Sequence, residues 1–330
     1  MHERRPRFST ILWALAAFLA TTVASLDGAK ADPATTSPQQ GYDLGGIQST
    51  REMAMGGALT ALGTSTTALY DNPANLPFAK VYHFEALGQF SPEARRYSAG
   101  GAVADSVTNR LAGGFAGAYS VMDGDGINRQ WTDLRLSLAY PIADWLSVGL
   151  AGRYLNVLQS VGRGPFGPSL LSDGTSTGPL WTGFTFDAGL TVMPVTGLRI
   201  GAVGKNLTYP NNGVVPTTVS GGIGYTSEIF SVEADTLVDF STWGTPRPRV
   251  GAGAELFLFN RLALRLGYRF DVGQRAHAAT FGAGYIDKKF GVEASLRRDI
   301  IADHPMTMMT LAVRYFYDAG GPSDTVGSME

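Results

Sequence analysis

The sequence contains no cysteine, which excludes a disulfide-stabilised scaffold, a thiolate metal site and a lipid anchor attached to a cysteine. It also has little charge, because only 16% of its 330 residues are Asp, Glu, Lys or Arg and the net charge is −2. A chain so close to neutrality lacks the basic surface that nucleic-acid binding requires. We therefore do not expect nucleic acid as a partner.

Long apolar runs are missing as well. From residue 81 onward, no stretch approaches the about 18 consecutive apolar residues that indicate a membrane-spanning helix. The mean hydropathy of +0.02 is too polar for a bundle of membrane helices. It suits a barrel in which each strand presents one face to lipid and the other to a polar lumen.

Signatures of catalysis are absent too. The four histidines are scattered without a metal-ligand spacing, and the sequence has no nucleophile elbow or phosphate-binding loop. The remaining enzymatic alternative is a hydrolase that combines His277 with a serine on a neighbouring strand. We favour a protein that is not an enzyme and that uses neither a cofactor nor a metal.

The N-terminus has the organisation of a signal peptide. A basic segment, residues 2–7, precedes an apolar run, residues 10–24, and a small-x-small cleavage site follows at residues 29–31. We predict a signal peptide over residues 1–31. The alternative is an anchor that is not cleaved.

What the sequence has in abundance is alternation of apolar and polar residues, as residues 131–140 illustrate. Because successive side chains of a strand point to opposite faces, this segment has one apolar and one polar face. The apolar face carries Leu134, Leu136, Leu138 and Tyr140, and the polar face Asp133, Arg135 and Ser137. A soluble β-sandwich also alternates, so the pattern gains weight only from its repetition along the chain.

We predict an all-β fold, a 14-stranded antiparallel transmembrane β-barrel over residues 81–318, with a periplasmic C-terminal tail at residues 319–330. Each segment has about ten residues, enough to cross a bilayer at a tilt, and bacterial barrels have even strand numbers. The predicted strands are 81–90, 95–105, 109–120, 130–140, 145–157, 182–192, 197–206, 216–226, 229–240, 247–257, 261–271, 276–285, 289–298 and 307–317.

The connections between these strands differ in length in a regular way. Those after even-numbered strands are short, for example residues 141–144, 194–197 and 287–288. Most of those after odd-numbered strands are longer and polar, notably residues 121–128 and 162–178. Outer-membrane barrels have short periplasmic turns and long extracellular loops. We therefore predict a cell outer-membrane location with both termini in the periplasm.

Residues 32–80 form a segment of small residues with very little charge between the signal peptide and the first strand. We predict short helical turns that pack inside the lumen as a plug. Pro73 forces Asn72 into an extended conformation, which predicts a turn at this dipeptide.

This plug segment contains a motif that resembles the FadL-type outer-membrane hydrophobic-compound transporter superfamily, which includes the PorV/PorQ-like barrels. The resemblance implies a fourteen-stranded barrel with an N-terminal hatch. The matching residues are Arg51, Gly56, Gly57, Ala58, Thr60, Ala61, Ala68, Leu69, Tyr70, Asn72, Pro73 and Ala74. As plug or hatch residues we single out Arg51, Gly56, Gly57, Tyr70, Asn72, Pro73 and Ala74.

Alternation also predicts which charged side chains face the lumen. Two interpretations are open: charges of both signs neutralise one another and hold the plug, or some arginines bind an anionic head group as a bidentate fork. The candidates for anion binding are Arg135, Arg153, Arg199, Arg265, Arg269 and Arg314.

The resemblance implies passive uptake of small hydrophobic or amphiphilic compounds, with membrane lipid and a hydrophobic small molecule as partners. The alternative is a PorV-like accessory barrel that docks a protein partner at its rim during secretion or surface attachment, without transporting a solute. Glycine pairs in three strands, at residues 100–101, 113–114 and 221–222, either permit wall bends that a moving hatch needs or accommodate curvature and close plug contact.

Overall fold

The computed structural model describes residues 47–93, 96–122, 128–160, 163–164, 167–168, 178–210, 215–302 and 305–317. The predicted signal peptide, the first part of the predicted plug (residues 32–46) and the predicted tail lie outside the described residues. So do parts of several loops.

The chain forms a closed barrel of fourteen antiparallel strands, which confirms the predicted fold class and strand number. Neighbours in sequence are neighbours in the barrel, and β14 pairs with β1 to close it. A small hairpin pairs Arg163–Gly164 with Gly167–Pro168 outside the barrel wall. The strands are β1 Tyr82–Ser91, β2 Arg96–Asp105, β3 Ala112–Met122, β4 Asn128–Ala143, β5 Leu146–Ser160, β6 Gly178–Val195, β7 Leu198–Lys205, β8 Thr218–Thr226, β9 Phe230–Asp239, β10 Arg247–Leu258, β11 Leu262–Asp271, β12 Ala276–Ile286, β13 Phe290–Ile301 and β14 Thr307–Phe316.

The two faces of the wall have opposite chemistry. In β4 the outward residues Leu134, Leu136 and Leu138 are exposed, whereas the inward residues Asp133 and Arg135 are buried. A soluble barrel would have its apolar residues inside, so this distribution is that of a barrel surrounded by lipid.

Two predicted turns belong to strands instead. The segment at residues 141–144 is strand up to Ala143, and residues 194–195 lie in β6. Both prolines coincide with register shifts, one between Pro141 and Ala143 and one between Val192 and Val195. Proline has no N–H for the ladder, so it fits within a strand where the regular pairing is interrupted.

Residues 47–79 lie inside the barrel and are called the plug below. They form α1 (Thr50–Ala54), α2 (Thr66–Tyr70) and a 3₁₀-helix (Pro73–Phe78). Ser49 caps α1, because its side chain accepts a hydrogen bond from the backbone N–H of Glu52 at 3.1 Å. Asn72 is extended, with φ −131° and ψ 106°, as expected of a residue before proline. The packed interior of this protein is therefore the contact between plug and wall.

Candidate functional site

The plug is attached to the wall by a buried ion pair at Arg51. Its guanidinium donates to Glu255 through Nη2–Oε1 at 2.8 Å and Nε–Oε2 at 3.2 Å. Glu255 also accepts from Arg265 Nε at 2.5 Å, and Arg265 Nη2 reaches Glu293 Oε1 at 3.1 Å. A bidentate arginine–carboxylate pair has a fixed geometry, so it orients α1 as well as holding it.

The same chain of charges continues to the second plug helix. Arg314 Nη1 donates to Glu293 at 3.2 Å, and its Nε donates to Glu85 at 2.6 Å. The carboxylate of Glu85 then accepts from the hydroxyl of Thr66 in α2 at 2.6 Å. We call Arg51, Glu255, Arg265, Glu293, Arg314 and Glu85 the charge ladder. Its signs alternate strictly, so the buried charges neutralise one another.

The strand register explains why these charges meet. Glu255 lies directly opposite Arg265 across β10 and β11, and Glu85 lies directly opposite Arg314 across β1 and β14. Directly opposite side chains on one face of an antiparallel pair are close enough to interact.

A second attachment holds the part of the plug between its helices. The backbone N–H of Thr60 donates to Asp235 at 2.8 Å, and those of Ala61 and Leu62 donate to Glu233 at 2.5 and 3.0 Å. These N–H groups lie outside helix and sheet, and buried backbone donors need acceptors. The carboxylates of β9 supply them.

The motif asparagine joins three parts of the molecule. Asn72 Nδ2 donates to the carbonyl of Thr60 at 2.8 Å and to Thr191 Oγ1 at 3.1 Å, while its Oδ1 accepts from Ala74 N at 3.1 Å. Asn75 Nδ2 donates to the same Thr60 carbonyl at 3.0 Å. The plug is thus folded on itself and tied to β6.

A third group of charges contacts the end of α2. Arg135 and Arg153 both pair with Asp133, at 2.9 and 2.6 Å. Arg135 Nη1 and Lys205 Nζ each donate to the carbonyl of Tyr70, both at 3.1 Å. Cations stabilise the carbonyl end of a helix. Burial raises the pKa of the Tyr70 hydroxyl, which keeps this side chain neutral.

The candidate anion-binding arginines occupy different environments. Arg135, Arg153, Arg265 and Arg314 are engaged in the ion pairs described above. Arg199 is half-buried and lies over the ring of Phe78 at 4.7 Å, and Arg269 is buried in β11. Four of the six candidate arginines thus form ion pairs with carboxylates, and anion binding stays a prediction.

The motif glycines allow the plug and the wall to approach closely. Gly56 and Gly57 have positive φ values of 70° and 80°, which glycine adopts without strain. A Cβ on Gly56 would lie 2.5 Å from the carbonyl oxygen of Tyr268. On the wall side, a Cβ on Gly149 would lie 2.4 Å from the nitrogen of Ala74. Pro73 and Ala74 begin the 3₁₀-helix at this contact.

One side of the lumen has a wall of small side chains. We call this surface the apolar wall; it packs against Ile47 and Leu69 of the plug. Strand β3 contains no charged residue at all. The apolar wall consists of the inward residues Gly100, Ala102 and Ala104 of β2 and Ala112, Gly114, Ala116 and Ala118 of β3.

In two of the three glycine pairs, one glycine lies close to the plug. A Cβ on Gly100 would lie 3.1 Å from Ile47, and one on Gly114 would lie 2.7 Å from Leu69. One on Gly222 would collide with the side chain of Asp235. The register from β1 through β3 is continuous.

Three further buried arginines, Arg96, Arg129 and Arg297, lie at the end of the lumen where β3 leads into β4. We call them the arginine rung. Alternation predicts that Arg297 faces the lumen, whereas Arg96 and Arg129 were missed in the sequence analysis. In the strand register, Arg129 of β4 lies opposite Met122 of β3, and Met122 belongs to an adjoining apolar cluster. Arg96 and Arg129 lie at the beginnings of β2 and β4, and extending the alternation to these strand ends would have identified both. The apolar cluster consists of Met122, Trp131, Leu155, Val157, Val215 and Met306.

Within the described residues, no three or more His, Cys, Asp or Glu side chains are grouped so that they could hold a metal ion. No helix in this part of the chain is long and apolar enough to cross a membrane.

Comparisons with known proteins find similarity at the level of structure. No protein-family model matches the sequence, and no curated protein matches it significantly. The toluene transporter TbuX of Ralstonia pickettii is 16% identical, with a TM-score of 0.60 over 84% of this chain and 100% of its own. The monoaromatic hydrocarbon channel CymD is 15% identical, with a TM-score of 0.65 over 84% and 98%.

A FadL homologue of Pseudomonas aeruginosa is 12% identical, with a TM-score of 0.58 over 82% of this chain and 98% of its own. At such identities, the property that these proteins share with the chain is the fold. The chain therefore has the barrel fold of the FadL-type transporters.

Proposed function

We propose that this protein is an outer-membrane channel for the passive uptake of small hydrophobic or amphiphilic compounds, in which the plug acts as a hatch. The observation that carries the proposal is the apolar wall along β2 and β3. An apolar solute needs a surface without charges, because burying an unpaired charge or breaking a buried ion pair costs several kcal/mol (about 3–5).

The attachment of the plug supports a route along this wall. Its hydrogen bonds to the wall reach β1, β4, β6, β7, β9, β10 and β12. Towards β2 and β3 it presents Ile47 and Leu69 in carbon contact. A solute that passes on this side displaces only carbon contacts and leaves the charge ladder intact.

The arginine rung and the adjoining apolar cluster support amphiphilic as well as purely apolar solutes. The apolar part of a solute would contact the cluster, and an anionic head group would be attracted to the three arginines. The fold comparison supports small aromatic hydrocarbons as a solute class, since TbuX and CymD are described as toluene and monoaromatic hydrocarbon channels.

The proposed orientation follows from the connections. Strands β4 and β5 are joined by residues 144–145, and β6 and β7 by residues 196–197, whereas residues 206–217 join β7 and β8. Short turns on one side and long loops on the other support a periplasmic position for the short turns and both termini. The arginine rung would then lie at the extracellular end of the lumen.

The test is uptake of radiolabelled toluene by Gram-negative cells that lack other hydrophobic-compound channels. Cells with the wild-type protein should take up toluene faster than cells with an empty vector. Ala116→Phe places a large side chain on the apolar wall, since Ala116 is fully buried in β3, and most of the gain should be lost. Phe115→Ala changes the outward-facing neighbour on the same strand, and cells with this variant should keep the wild-type gain in uptake.

Heat-modifiable migration on gels would establish that each variant is a closed barrel. Equal uptake with and without the wild-type protein would overturn the proposal. Undiminished uptake by the Ala116→Phe variant would overturn the route along the apolar wall.

A further inference from the structure

A small cavity of about 10 Å³ lies between the plug and strands β7 to β10, a space of about one water molecule. Its charged lining consists of Glu52 and Asp71 from the plug and Lys205, Asp235 and Arg249 from the wall. This cavity lies on the side of the plug away from the apolar wall. The proposed transport function makes no use of it.

The carboxyl groups around this cavity outnumber the cations by three to two. All three are buried, with Glu52 and Asp235 6% exposed and Asp71 5% exposed. Lys205 Nζ pairs with Asp71 Oδ1 at 3.2 Å. The other oxygen of Asp71 and Oδ1 of Asp235 have no hydrogen-bond partner among the described residues. Buried carboxylate oxygens need a donor, and a proton held by this group of carboxyl groups would supply one.

The surrounding groups do not remove the excess of negative charge. Glu233 lies next to Asp235 and accepts two plug N–H groups, and Gln48 Nε2 donates to Glu52 at 3.1 Å. Helix α1, which carries Glu52, also packs against β11 to β14. The charged inward residues of these four strands are Arg265, Arg269 and Asp271 of β11, Glu293, Arg297 and Asp299 of β13 and Arg314 of β14. The charge ladder, which includes three of them, is neutral.

Of the three carboxyl groups, Glu52 is the one that lies within α1. Burial raises its pKa to about 7, and the neighbouring Asp71 acts in the same direction, while Lys205 and Arg249 oppose both. Glu52 lies in the middle of α1, next to Arg51 of the charge ladder. A charge that appears on it therefore acts directly on the helix that anchors the plug.

We propose that the docked plug binds one proton at the carboxyl groups of Glu52, Asp71 and Asp235, and that this proton acts as a latch. When the proton is bound, the cavity is neutral and α1 docks firmly against the wall. When it is released, the cavity carries an unpaired buried charge and the plug opens more often. The latch sets how tightly the hatch is held, independently of which solute passes.

The direction of the pH dependence follows from proton linkage. The pKa of Glu52 is about 7 when docked, against an ordinary value of 4.5. Between these values the docked plug binds more protons than the open one, so docking weakens as pH rises through this window. The opening constant should increase by up to about tenfold per pH unit and become constant above about pH 7.

The test is hydrogen–deuterium exchange of the full-length protein in detergent micelles, followed on plug peptides that cover residues 51–62. After correction for intrinsic exchange rates, the wild-type opening constant should rise about 10- to 100-fold from about pH 5 to pH 7. Glu52→Gln keeps the shape of the side chain and removes the titration, so its profile should be flat and protected. Asp71→Asn removes a charge that raises the pKa of Glu52, so the rise should be smaller than in the wild type and should end at lower pH.

Glu228→Gln is the matched control, because Glu228 is an exposed glutamate in the turn between β8 and β9, and its profile should equal that of the wild type. A flat corrected profile in the wild-type protein would overturn the latch. A Glu52→Gln variant with the wild-type slope would overturn it too, because a purely structural role shifts protection equally at every pH. The measurement contains no solute, so its outcome is independent of the uptake test.

Discussion

The two sides of the lumen hold the plug by different physical means. On the side of β9 to β14 and β1, the wall carries the charge ladder and the carboxylates that accept plug N–H groups. On the side of β2 and β3, it carries alanine and glycine in carbon contact with the plug. Ion pairs and hydrogen bonds are directional, whereas carbon contacts are not. The first side therefore fixes where the plug sits, and the second permits a displacement there.

The comparison also predicts that substitutions on the two sides differ in their cost to stability. A missing partner in the charge ladder leaves a buried charge uncompensated, so its cost is large and its effect spreads to the neighbouring pair. A missing carbon group on the other side costs only the lost contact and the cavity that it leaves.

The largest effect should come from Glu255→Ala, which removes the acid shared by Arg51 and Arg265. Arg51 loses its carboxylate partner and Arg265 loses one of its two, and we expect a loss of about 3–5 kcal/mol in the free energy of unfolding. Urea unfolding of the detergent-solubilised protein measures this loss, and hydrogen exchange should show faster opening of α1. Glu228→Ala, in an exposed turn, is the control and should be close to neutral. Equal stability of the two variants would contradict the structural importance of the ladder.

A smaller effect is expected from Leu69→Ala on the opposite side of the plug. Leu69 is buried against the apolar wall, and its truncation should cost about 2–3 kcal/mol in the free energy of unfolding. The plug should remain docked, because its hydrogen bonds are unchanged, so exchange of residues 51–62 should stay at the wild-type level. Leu150→Ala, on the outer face of β5, is the control. Faster exchange throughout the plug would remove the distinction between the two sides.

The smallest effect should come from Arg298→Ala. Arg298 pairs with Glu93 at 2.7 Å, but the two side chains are 48% and 37% exposed. An exposed pair is screened by water and salt, so we expect at most about 0.5 kcal/mol, decreasing further at about 1 M salt. Unfolding curves of the variant and the wild type at low and high salt measure this loss of stability. A loss as large as that of Glu255→Ala would show that burial is not what makes the ladder strong.

Much of the fold was predictable because its signal is local. Alternation with a period of two can be read within ten residues, and it correctly indicated fourteen strands and the outward position of residues such as Leu136. The two prolines in β4 and β6 were interpreted as turns, because the sequence does not show where the regular pairing is interrupted.

The candidate site was predictable only in part. The motif from Arg51 to Ala74 indicated a plug, and alternation indicated which charges point inward. Neither reveals which charges meet, since Arg51 and Glu255 are 204 positions apart. Arg96 and Arg129 of the arginine rung were missed because they lie at strand ends, where the alternating pattern stops being readable.

The sequence by itself therefore determined the strands, their number, the two faces of the wall and the presence of an internal segment, because each depends on neighbouring residues. Only the tertiary structure decided the order of the charge ladder, the apolar wall opposite it and the cavity around Glu52. These depend on strand register and on the closure of β14 against β1, which bring distant residues to the same level of one lumen.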